Sequence, residues 1–247
     1  MVFIEDIINL LKKKKISFYT GVPDSILKNL ILKFKKNHIS VNNEGTAISL
    51  ATGNYLATGK IPCIYLQNSG LGNAINPLVS INNKNVYSIP FILIIGWRGS
   101  PNSKDEPQHE SKGKITRDIL KLMGIKHCIL RSKKDLKIFE KLIQYSKEKS
   151  TGVACLIEKS KIKSKTNFNY KKKINNYRIL RYNFLDQLIK KIKIKTNIIS
   201  STGFISRELD DILKNETYSK IYPFYMVGGM GHAASVTLGV SLKSNKN

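Results

Sequence analysis

Arginine is scarce in this sequence. The 247 residues hold six arginines against 36 lysines, with 17 acidic side chains and a formal net charge of +25. Specific nucleic-acid readout favours arginine, whose planar fork grips phosphates and base edges with paired bonds. The lysines run along the whole chain among many Asn and Ile, so the charge reads as solvated surface and no nucleic-acid partner is expected. Cysteine is scarcer still. Cys63, Cys128 and Cys155 lie far apart, without a CxxC pair, in or beside apolar runs. This pattern argues against a disulfide framework or thiolate metal centre and for buried free thiols. No apolar run reaches 18 residues, so no membrane span is expected. The opening MVFIEDIINLLKKKK puts acids first and lysines after the apolar stretch, the reverse of a secretory leader. It reads as the amphipathic first helix of a cytoplasmic protein without a membrane partner.

Short apolar runs alternate with helical patterns. Strands are expected at 16–20, 38–42, 61–67, 90–96, 126–130 and 152–158. Helices are expected near 24–37, 45–57, 73–81, 113–123 and 133–149. Nearly continuous apolar strands between helices predict an α/β fold, a doubly wound parallel sheet covered on both faces. Residues 159–177, KSKIKSKTNFNYKKKINNY, lose the apolar period and read as a linker between a first domain, 1–158, and a second, 178–247. The second shows a helix at 178–194, a strand at 197–200, a helix near 204–215, an extended stretch at 221–227 and a last helix at 231–242. About 70 residues make a poor independent core, so this unit is expected to be truncated or completed by another chain.

In open α/β sheets ligands sit beyond the carboxyl ends of the strands, and here those ends carry polar and glycine-rich turns. TGVPDS follows the first strand, with Asp24 or Ser25 as a helix cap. VNNEGTAISLATG follows the second and puts the carboxylate of Glu44 where strand becomes helix. QNSGLGNAINP follows the third, where Gly70 and Gly72 permit close backbone approach and Asn73 can cap the next helix. No GK[ST] follows, so this is not a Walker loop. GWRGSPNSKDEPQHESKG follows the fourth and reads as a long polar loop, offering Arg98 to an anionic group of a substrate and His109 for proton transfer. In the second unit, STGFISREL and VGGMGHAASVTLG place Gly or Thr at strand-to-helix turns, where free N–H groups bind phosphate. Two such turns suggest a diphosphate.

The stretches FYTGVPDSILKNL, NEGTAISLATGNYLATGKIPCIYLQNSGLGNAINPL, YSIPFILIIGWRGSPNSKDEPQH and GGMGHAASVTLGVSL together resemble the thiamine-diphosphate-dependent 2-oxo acid decarboxylases, and within them the phosphonopyruvate branch. The resemblance implies a pyrimidine-binding-type domain followed by the start of a diphosphate-binding-type domain. It implies thiamine diphosphate and Mg²⁺ as cofactors, and decarboxylation of 3-phosphonopyruvate to phosphonoacetaldehyde and CO₂. It implies that Glu44 hydrogen-bonds N1′ of the aminopyrimidine, and that Asp24 and His109 are acid–base groups near the reacting carbon. By the same matching Gly70, Leu71, Gly72 and Asn73 line the pyrimidine side. Thr202, Gly203, Gly228, Gly229, Gly231 and His232 hold the diphosphate and pyrimidine, and Met230 is the apolar wedge that keeps the cofactor bent. Sites of this family form between two subunits, which implies at least a homodimer.

One departure stands out. The family's Mg²⁺ ligands lie in a GDG…N segment, and this sequence contains no GDG. The metal ligands are therefore expected in a missing C-terminal segment or a complementing chain, and none is assigned here. Two alternatives follow: sulfopyruvate decarboxylase, whose domains can be separate chains, and a truncated non-catalytic chain or subunit. The fused linker leans towards the phosphonate enzyme.

Overall fold

The computed structural model describes residues 2–34, 37–101, 103–165, 179–215, 218–229 and 231–242. It divides into two compact units, Met1–Asn169 and Tyr170–Asn247.

The first unit opens with strand β1 (Val2–Phe3) and helix α1 (Ile4–Lys13), followed by β2 (Tyr19–Gly21), the short α2 (Lys28–Ile31) and β3 (His38–Ser40). Then come α3 (Glu44–Thr58), β4 (Cys63–Gln67), a 3-10 turn (Asn68–Gly70), α4 (Leu71–Ser80), β5 (Ile92–Trp97), α5 (Pro107–Leu122), β6 (Lys126–Ile129), α6 (Lys133–Lys149), β7 (Val153–Glu158) and β8 (Ile162–Lys163). Six strands form one sheet in the order β3-β2-β4-β5-β7-β6, every pair parallel. This is the doubly wound architecture expected from the alternating pattern.

Period-two alternation divides the apolar strands between two cores. Ile92 and Ile94 join Cys63, Tyr65, Val153 and Cys155 in one, with Ile7 and Leu11 of α1 and Phe139 of α6. Leu93, Ile95 and Trp97 join Ile64, Leu66 and Leu156 in the other, under Ile48 of α3, Leu78 of α4 and Leu120 of α5. All three cysteines are buried and free. Among the described residues no helix is long and apolar enough to cross a membrane.

Three expectations need correction. Among the described residues the helix expected over 24–37 is reduced to α2 with turns on either side of it; Asp24 does act as a cap, its Oδ2 accepting the Leu27 N–H at 2.9 Å. The long polar loop after β5 is halved: Pro107 opens α5, which carries His109 in its first turn. The expected linker contributes β8, paired in parallel with β1. Its residues 166–177 lie outside the described residues.

The second unit contains α7 (Arg181–Lys191), β9 (Thr196–Ser200), α8 (Phe204–Asn215), β10 (Ile221–Tyr225) and α9 (Ala233–Ser241). β9 and β10 pair in parallel over five residues. Its buried core consists of Ile189, Leu209, Ile212 and Ile221, while Phe224, Val227 and Leu238 stay exposed.

Two outcomes test this packing. A methyl on Gly113 would sit 1.6 Å from the carbonyl oxygen of Gly99. Gly113→Ala should therefore lower urea-unfolding stability by about 1–3 kcal/mol, whereas Leu122→Ser at an exposed site stays within about 0.5 kcal/mol. Glu5 accepts bonds from the Ser164 hydroxyl and the Lys165 N–H. Burial raises its pKa, but these bonds and Lys33 outweigh burial and lower it from 4.5 to about 2. A lowered carboxylate pKa stabilises the fold fully above 4.5, and that stabilisation is lost as pH falls towards 2. Glu5→Gln should flatten the stability profile in that window.

Candidate active site

Asn43, the last residue before α3, takes the capping role: its side-chain oxygen accepts the Thr46 N–H at 3.1 Å. Glu44, the first helical residue, is thereby released from capping and turns inward, 9% exposed. Its Oε2 accepts from Asn73 Nδ2 at 2.8 Å. Its Oε1 accepts no hydrogen bond among the described residues. The carboxylate lies on the Cα of Gly70, where a methyl group would meet Oε1 at 2.0 Å. Asn73 does not cap α4, as the sequence suggested; α4 starts at Leu71 with Gly70 as its N-cap residue. Leu71 is 1% exposed and its side chain joins the second core. Gly72 faces open space.

A second group gathers at the ends of β2 and β5. The Asp24 carboxylate packs on Gly96, where an added methyl would lie 2.2 Å from Oδ2. Oδ1 is buried without a hydrogen-bond partner, as is Nδ1 of His109. Burial pushes the Asp24 pKa up, against the N–H groups of the following turn and the Arg98 charge. Burial, then the Arg98 charge, pulls the His109 pKa down. Arg98, expected to face a substrate anion, is engaged within the protein. Its Nε donates to Asp105 Oδ2 at 2.6 Å and its second terminal nitrogen donates to Oδ1. Its remaining nitrogen reaches the Ser25 hydroxyl at 3.4 Å.

Asn68 joins the two groups. Its amide donates to the Arg98 carbonyl at 2.9 Å and to Thr116 Oγ1 at 2.9 Å, and its oxygen accepts the Arg98 N–H at 2.9 Å. The turn carrying Gly70 is thus pinned to the end of β5. Reading the sequence did not single out Asn68 or Asp105. Their signals were an Asn directly after a strand and the Asp two residues before a helix-opening Pro.

In the second unit the two glycine turns meet side by side. Thr202 Oγ1 donates to the Val227 carbonyl at 3.2 Å. Gly203, Gly229 and Gly231 have φ of 115°, 64° and 87°, which glycine adopts without strain. Gly228 lies in the same turn, and His232 is the N-cap residue of α9, its N–H donating to the Gly229 carbonyl at 3.1 Å. Met230 lies outside the described residues.

Residues 1–128 match the family of thiamine pyrophosphate enzymes described by its N-terminal TPP binding domain. The chain belongs to this family. A phosphonopyruvate decarboxylase from Streptomyces viridochromogenes is 31% identical over 98% of this chain and 64% of its own length. A sulfopyruvate decarboxylase from Methanosarcina acetivorans is 27% identical over 98% of this chain and 66% of its own. The chain therefore spans somewhat less than two thirds of these relatives. The crystal structure of benzoylformate decarboxylase from Polynucleobacter necessarius superposes with a TM-score of 0.51 at 15% identity, covering 84% of this chain and 40% of that one, a likeness of fold. The sulfopyruvate relative also matches across residues 159–177, so the fused linker does not separate the two substrate classes.

The donor set suits the family's cofactor. A carboxylate oxygen of an otherwise buried Glu44, left without a hydrogen bond among the described residues, fits a ring nitrogen that shares a proton, and Gly72 has open space over its Cα. Among the described residues no group of three or more His, Cys, Asp or Glu side chains could hold a metal ion.

A thermodynamic cycle tests the Glu44–Gly70 contact. Gly70→Ala should destabilise by about 1–3 kcal/mol in urea. Glu44→Ala added to it should restore most of that loss, because the clashing carboxylate is gone. Gly72→Ala stays within about 0.5 kcal/mol.

Proposed function

We propose that this chain carries the pyrimidine side of a thiamine-diphosphate decarboxylase site acting on 3-phosphonopyruvate, releasing CO₂ and phosphonoacetaldehyde with uptake of one proton. The observation that carries the reading is the inward carboxylate of Glu44, buried yet with Oε1 left without a donor. Thiamine diphosphate supplies an electron sink for the carbanion left when CO₂ departs. Glu44 would hold the proton shared with pyrimidine N1′. Asn73 fixes the Glu44 carboxyl orientation through Oε2. Gly70 would line the pyrimidine side by letting the Glu44 carboxylate lie on its Cα, and Gly72 by the open space over its own. Asp24 and His109 would hold and deliver protons beside the reacting carbon. Thr202, Gly203, Gly228, Gly229, Met230, Gly231 and His232 would form the diphosphate side, in a homodimer or with a complementing chain. Mg²⁺ would take its oxygen ligands from outside the described residues or from a complementing chain.

Sulfopyruvate is the second reading, favoured by the relative that matches over 98% of the chain. A sulfonate carries one charge fewer than a phosphonate dianion, so kcat/KM on the two acids side by side separates them. The assay measures CO₂ release with thiamine diphosphate and Mg²⁺, for the chain alone and mixed with a diphosphate-domain chain. Glu44→Gln should lower turnover by about 10²–10⁴-fold. Undiminished turnover in that variant contradicts the catalytic reading. Absence of calorimetric cofactor binding in either format favours a non-catalytic subunit.

A further inference from the structure

Asp105 was singled out by neither the sequence pattern nor the family resemblance, yet it is among the most heavily bonded side chains near the candidate site. Its carboxylate is 3% exposed. It accepts two bonds from the Arg98 guanidinium and the N–H groups of Gly99 and Glu106, each N–H at 2.9 Å. Bidentate Arg–carboxylate pairing fixes direction as well as distance. The guanidinium so held reaches Ser25, the neighbour of Asp24, and its charge acts on both Asp24 and His109. Each of these two carries a buried polar atom without a hydrogen-bond partner. Neither is therefore oriented at that atom by another side chain, and the cation they share is Arg98.

We propose that Asp105 is a positioning residue, fixing the Arg98 guanidinium as a stationary positive charge beside Asp24 and His109. The inference rests on the reading of those two as acid–base groups, but its test does not depend on turnover. Among the charges that act on His109, Arg98 and Lys112 favour the neutral ring, and Asp105 and Glu106 favour the charged one. Arg98 outweighs Asp105 among them. Asp24 faces Arg98 and the N–H groups of Ser25, Ile26 and Leu27.

The two roles open to Asp105 predict opposite signs. As a mere nearby anion, its loss lowers the His109 pKa. As the clamp on Arg98, its loss frees the cation and raises that pKa. The experiment follows the His109 ring protons by NMR against pH, with the signal assigned by its disappearance in His109→Gln. Asp105→Ala should shift the midpoint upward, as should Arg98→Ala. In the Arg98→Ala background, adding Asp105→Ala should shift it downward, since only the direct charge remains. A downward or absent shift for Asp105→Ala in the otherwise unaltered chain overturns the proposal. If that variant fails to fold, Arg98→Ala carries the test, and an unchanged His109 midpoint there overturns it too. The sign reversal without an effect of His109→Gln on CO₂ release would keep the positioning role and remove the acid–base reading.

Discussion

A carboxylate can lie flat on the Cα of a neighbouring turn only where that Cα bears two hydrogens. Glu44 and Gly70 meet in this way, and much of the site's arrangement follows from the contact. Asn43 takes over capping, which leaves Glu44 nothing to do at the helix end beyond the roughly 0.3–1 kcal/mol a charge gains from the dipole. Asn73 crosses from α4 to bind one oxygen. Asn68 ties the turn holding Gly70 to the end of β5. Moving any of these shifts the free oxygen that the functional reading needs.

The six-stranded sheet makes such a site affordable. Its central strands are fully buried and locked between two cores, so the loops at their carboxyl ends can carry buried acids, unpaired polar atoms and close backbone approaches. Each of these lowers stability by itself. Asp24, Glu44, Gly70 and Gly96 lie where β2, β3, β4 and β5 end, within the residues that match the TPP binding domain.

The nearly continuous apolar run at 90–96 was enough to specify β5 and its burial on both faces, and α6 has the bounds that its helical pattern predicted. Other features depend on tertiary pairing that no local pattern carries. β1 and β8 are two residues each and exist through mutual pairing at a separation of 160 residues. Glu44 stood out as an acid at a strand–helix junction in a lysine-rich chain, and the resemblance gave it a role. Its packing on Gly70 is a matter of ångströms between distant segments. Arg98 looked like a free cation because Asp105, seven residues on, gave no sign that the loop turns back onto it.

The most direct measurement is a crystal structure of the protein, with any chain that completes its site, in complex with thiamine diphosphate. The account predicts the Glu44 carboxyl within about 3.2 Å of pyrimidine N1′, with Gly70 beneath it and Asn73 still bound. A cofactor seated with N1′ out of reach of Glu44, or Glu44 turned to solvent, would contradict it.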